Sequence, residues 1–131
     1  MLGENCDVTA VKQYSSTKDL FVAPESLKIF PPHAHHIPVA AFASDFTYDG
    51  RLDILVTWNA SASENASATY FSAVFPGASS GFGAMIASLW SDTLPFVFDA
   101  DGDMRPDIAV VQPGKSEILV RLAANNFEKC V

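Results

Sequence analysis

The chain has 131 residues, 49% apolar and 18% charged, which is a globular composition long enough for about one domain. With 8 basic against 15 acidic residues the formal net charge is −7, so the basic face that a nucleic-acid partner would need is missing. Two cysteines, Cys6 and Cys130, are too few for a disulfide scaffold or a cysteine-built zinc site.

The first residues, MLGENCD, turn polar and acidic at once and do not read as a signal peptide. No apolar run approaches the ~18–20 residues of a membrane helix. His33, His35 and His36 follow in PPHAHHIP. Three imidazoles so close could hold Zn²⁺ or Cu²⁺, but no fourth ligand can be named, so an exposed connection between strands is expected.

Short runs rich in Val, Ile and Phe recur at 20–22, 37–43, 52–58, 70–75, 94–98, 107–111 and 117–122, each bounded by Pro, Gly, Asp, Asn or Ser. These are strand signals. The runs 52–58 and 107–111 are apolar on both faces, as in strands lying inside a stack of sheets. In 117–122, Ile118, Val120 and Leu122 are expected on the buried face and Glu117, Leu119 and Arg121 on the wetter one. Between the runs, NASASENASAT holds two glycosylation sequons, at Asn59 and Asn65, and reads as an exposed polar loop. Segment 82–91 (FGAMIASLWS) reads as a loop plus an outer strand. Trp58, Trp90 and the 10 Phe are expected in the core and in packing between sheets.

One pattern occurs twice. AFASDFTYDGRLDILVTW at 41–58 and PFVFDADGDMRPDIAVV at 95–111 each join two apolar runs through an Asp-rich loop. Asp45 and Asp99 stand 54 residues apart, a period that accommodates four short strands and their loops. Loop one runs from Asp45 to Asp53 and loop two from Asp99 to Asp107. Oxygen-bearing side chains fall at positions 1, 3, 5 and 9 of each: Asp45, Thr47, Asp49 and Asp53, then Asp99, Asp101, Asp103 and Asp107. A hard divalent cation wants six to eight oxygens at ~2.3–2.6 Å. Alternate positions of a tight loop can converge, and position 7 (Arg51, Arg105) would add a main-chain carbonyl. The pattern is not an EF-hand, because position 12 is Val56 or Val110 rather than a bidentate Glu. Loop two, with a carboxylate at position 3, is expected to bind better than loop one, where Thr47 offers a neutral oxygen.

At these residues the chain resembles the FG-GAP repeats (integrin-α type, also called VCBS-like). DFTYDGRLDILV and DADGDMRPDIAV look like their calcium-loop segment, and Gly81-Phe82-Gly83-Ala84 is similar to the elements that give the repeat its name. The chain departs from the pattern at Thr47, at Tyr48 and Met104 where Gly is frequent, and in 15–22, where Asp19 ends what looks like a vanished loop. The resemblance implies an all-β partial propeller of about two four-stranded blades with Asp-rich calcium loops. Residues 1–36 would end a degenerate blade, 37–92 would form one blade, and 93–131 an incomplete second. The implied ligands of Ca²⁺ are Asp45, Thr47, Asp49, the Arg51 carbonyl, Asp53, Asp99, Asp101, Asp103, the Arg105 carbonyl and Asp107. It further implies a non-enzymatic interaction module outside the cell, with a protein partner at the cell surface and the remaining propeller blades as neighbours. Membrane attachment would come only through a segment outside these residues. An accessory domain of a secreted hydrolase is the alternative. Two blades do not close a propeller, so the chain is expected to be a fragment of a longer protein, and Cys6 and Cys130 could pair with each other or with cysteines elsewhere.

Overall fold

The computed structural model describes residues 36–61, 68–79 and 81–128. Cys6, Asp19, His33, His35, Asn65 and Cys130 lie outside them. The described residues form β1 (Ile37–Ser44), β2 (Asp53–Asn59), β3 (Tyr70–Phe75), β4 (Gly77–Ala78), β5 (Gly81–Phe82), β6 (Ala87–Ser91), β7 (Phe96–Phe98), β8 (Asp107–Val111) and β9 (Ile118–Arg121). A 3-10 turn, Ala123–Asn125, follows. The fold is all-β. Among the described residues there is no α-helix, and no helix long and apolar enough to cross a membrane.

Every strand pairing is antiparallel. Sheet one has the order β1-β2-β3-β6, sheet two the order β7-β8-β9, and β4-β5 is a small hairpin let into the connection from β3 to β6. Among the described residues all three sheets are open and none closes into a barrel. In segment 82–91, Phe82 ends β5, and the rest divides as the sequence suggests, into a loop and β6 on the outer edge of sheet one.

β2 is buried on both faces because its alternate residues enter different clusters. Leu55 joins Val74 and Leu89 of sheet one and Ile108, Val110 and Leu119 of sheet two in a core shared by both sheets. Ile54, Val56 and Trp58 pack with Phe71 and Ala73 on the opposite face of sheet one. Burying one such side chain contributes about 1.5–3 kcal/mol, so the shared core is the main force holding the sheets together. Thr57 and Ser72, opposite each other in β2 and β3, bury their hydroxyls as a 2.8 Å hydrogen-bonded pair.

Three expectations are corrected. In β9 it is Leu119 that is buried, while Ile118 is 74% exposed. The pairing with β8 sets this: Leu119 lies opposite Val110, on the core side, and Ile118 opposite Val111. His36 is not exposed but buried, its ring 5.7 Å from those of both Phe71 and Trp90. The aromatics are not all interior. Trp58 is fully buried, but Trp90 on edge strand β6 is partly open and Phe96 on edge strand β7 is 75% exposed.

Candidate metal centre

Loop two leaves β7 at Asp99 and enters β8 at Asp107. Between them the main chain curls around the first carboxylate. Asp99 Oδ1 accepts the Gly102 N–H and Oδ2 the Met104 N–H, both at 2.8 Å. Asp101 Oδ1 accepts the Asp103 N–H at 3.2 Å, and Asp103 Oδ1 accepts the Arg105 N–H at 2.9 Å. Asp107 is fully buried and receives two N–H groups at 2.8 Å, from Ala100 inside the loop and from Ala123 beyond β9. The result is convergence: ligand oxygens of Asp99, Asp101, Asp103 and Asp107 all lie within 4.8 Å of one another. This quartet could hold a metal ion.

Loop one, between β1 and β2, repeats the plan with differences. Asp45 Oδ1 accepts the Asp49 N–H at 3.0 Å and Oδ2 the Gly50 N–H at 2.8 Å. Asp49 Oδ1 accepts the Arg51 N–H at 2.9 Å, as Asp103 does for Arg105. Asp53 is fully buried and joins the Thr47 N–H (2.8 Å) to the Gly77 N–H (2.7 Å) at the start of β4. Yet among the described residues only the loop-two quartet gathers three or more carboxylates this closely. Asp45, Asp49 and Asp53 do not, and position 3 is Thr47. Its Oγ1 lies near enough to Asp49 to favour the charged carboxylate, but misses hydrogen-bond geometry and is buried without a partner.

Both loops bend into the left-handed region at positions 4 and 6. In loop one these are Tyr48 (φ 58°) and Gly50 (φ 82°), and in loop two Gly102 (φ 80°) and Met104 (φ 68°). Glycine adopts this conformation freely, whereas a residue with a Cβ is strained by roughly 1–2 kcal/mol. Each loop therefore has one relaxed and one strained position, in opposite order. Tyr48 and Met104 take the same left-handed backbone as the glycines at the matching positions of the other loop, Gly102 and Gly50.

The electrostatics of loop two are unbalanced. The Met104 N–H, helped by those of Gly102 and Asp103, holds the Asp99 carboxyl below its usual value of 3.8. Asp101 goes the other way. Loss of water around it raises its carboxyl above 3.8, and the neighbouring Asp103 and Asp107 push the same way. In loop one the Arg51 N–H lowers Asp49. A cation among the quartet would reverse the penalty on Asp101.

Several contributors carry no sequence signal. Gly77 must be glycine, because a Cβ there would collide with the Leu52 carbonyl oxygen. Phe46, at position 2 of loop one, is buried against Phe127, with ring centroids 5.9 Å apart. The Arg105 side chain reaches across to loop one, where its Nη2 donates to the Thr47 carbonyl at 3.4 Å and its guanidinium lies 5.6 Å from the centre of the Tyr48 ring. The two loops are thus neighbours in space.

Asn59 ends β2, half-buried, and its Oδ1 accepts both the N–H (2.9 Å) and the hydroxyl (2.6 Å) of Ser61. No protein-family model, curated protein or solved structure matches the chain. Its functional reading therefore rests on the loops themselves.

Proposed function

We propose that this chain is a calcium-stabilised, non-enzymatic interaction module of the FG-GAP type. The observation that carries the reading is the convergence of Asp99, Asp101, Asp103 and Asp107 on a loop that joins two antiparallel strands. Four hard carboxylate oxygens suit Ca²⁺ better than a softer metal, which would seek His or Cys. Each carboxylate oxygen has two lone-pair sites, so those that accept an N–H keep a site for a cation. Loop one, with the orphaned Thr47 Oγ1, is a weaker second site.

A four-stranded antiparallel sheet packed on a three-stranded one supports one propeller blade followed by an incomplete second. The narrower likeness of VAAFASDFTYDG, DILVTW and LPFVFDADGDMRPDI is to T-cell immunomodulatory protein, a type I membrane glycoprotein with FG-GAP repeats. An extracellular adhesion role, with glycans on Asn59 and Asn65, is part of the proposal on that likeness.

Calorimetric titration of the metal-free chain tests it. Calcium is expected to release binding heat and to raise the melting temperature, and EDTA to reverse the rise. Saturation at a hundredfold excess over Kd would add about 2.7 kcal/mol to stability. Asp103→Ala is expected to weaken binding more than Asp49→Ala. The absence of both the heat and the EDTA effect would overturn the metal assignment.

A further inference from the structure

Each loop contains an Asp-Gly bond, but in a different place: Asp49-Gly50 at positions 5 and 6 of loop one, Asp101-Gly102 at positions 3 and 4 of loop two. All four residues are exposed, and both glycines have open space where a side chain would be. We propose that Asp101-Gly102 is a site of spontaneous succinimide formation and isomerisation, and that it reacts faster than Asp49-Gly50 in the folded chain.

The chemistry needs no co-reactant but water. The Gly102 nitrogen attacks Asp101 Cγ. An N–Cγ bond forms, the Cγ–OH bond of the protonated carboxyl breaks, and the hydroxyl leaves with the amide proton as water. Hydrolysis of the imide at Cγ restores aspartate. Hydrolysis at the main-chain carbonyl leaves isoaspartate, whose backbone is one carbon longer.

Two features rank the sites. The glycine N–H groups are equally guarded, each held at 2.8 Å by the first aspartate of its loop. The attacked carboxylates are not. Asp49 Oδ1 holds the Arg51 N–H at 2.9 Å, whereas Asp101 Oδ1 holds the Asp103 N–H at a looser 3.2 Å. Charge acts in the same direction. Forming the imide removes one negative charge from a site where four carboxylates lie within 4.8 Å, and loop one has no such crowding to relieve. The isoaspartate product displaces the Asp101 carboxylate and lengthens the loop, so the quartet is dismantled. Resting on the calcium reading, the inference also makes a bound cation protective, because it removes the repulsion and occupies the Asp101 oxygen.

The test is ageing of the full chain at neutral pH and physiological temperature in EDTA, in calcium, and unfolded in guanidinium. Isoaspartate in the two peptides is then quantified by mass spectrometry with electron-transfer fragmentation. The unfolded chain is expected to isomerise at both bonds at similar rates. The folded, metal-free chain is expected to isomerise several-fold faster at Asp101 than at Asp49, and calcium to slow Asp101 several-fold. Equal rates in the folded metal-free chain, or a faster Asp49, overturn the proposal. If the ranking holds but calcium changes nothing, the isomerisation stands and the calcium reading falls.

Discussion

Loops one and two take nearly the same path with different side chains, which separates what the turn needs from what an ion needs. Both bend at positions 4 and 6, both wrap N–H groups around the first aspartate, and both bury the last aspartate between two N–H groups. Only loop two brings four carboxylates within 4.8 Å. The turn is therefore built by main-chain N–H groups bonded to the first and last aspartates whether or not the carboxylates gather, and they gather only in the loop that also has an acid at position 3. Loop one is instead anchored by apolar contact, with Phe46 in the shared core where loop two has exposed Ala100.

The severest way to break this parallel is at position 9. Asp53→Ala and Asp107→Ala each strand two N–H groups, and hydrogen bonds to a charged group contribute about 1.5–3 kcal/mol each. Both variants are expected to lose about 3 kcal/mol or more in metal-free denaturant unfolding. Only Asp107→Ala should also abolish the stronger calcium heat, and equal calcium loss in the two variants would erase the distinction between the loops.

A smaller effect tests the shared turn. Gly50→Ala and Gly102→Ala place a Cβ at positive φ and are expected to destabilise by about 1 kcal/mol. Tyr48→Gly and Met104→Gly relieve strain but free the unfolded chain, leaving a net gain of about 0–1 kcal/mol. Thermal unfolding of the four variants checks this, and losses at all four positions would argue against a common backbone.

The smallest effect is electrostatic. In the metal-free chain, carboxyl NMR titration is expected to place Asp49 and Asp99 below 3.8 and Asp101 above it. The signs differ. Asp49 and Asp99 contribute stability that is present above 3.8 and lost as pH falls through their lowered values. Asp101 favours the folded state when protonated, and that contribution is lost as pH rises through its raised value. Saturating calcium should lower the Asp101 carboxyl from its raised value; an unmoved Asp101 would mean that it is not a ligand.

Much of this was legible in the residues. β1, β2, β3, β7, β8 and β9 fall on the apolar runs and β6 on segment 82–91, whereas the small β4-β5 hairpin has no such run; the Asp spacing located the quartet. The buried face of β9 was not legible, because Ile118-Leu119-Val120 is apolar throughout and only the register opposite Val110 chooses Leu119. Nor was the second duty of Asp53 and Asp107, whose partners Gly77 and Ala123 are remote in sequence and carry no motif.

The amino-acid order by itself determined most of the strands and the two loops between them, because period-two patterning and turn residues act over a few neighbours. Only the tertiary structure decided which faces are buried, how the last aspartates are held, and that Arg105 of loop two lies against Thr47 and Tyr48 of loop one. Those outcomes depend on which sheet packs on which, and side chains brought together across dozens of residues leave no local trace in the chain.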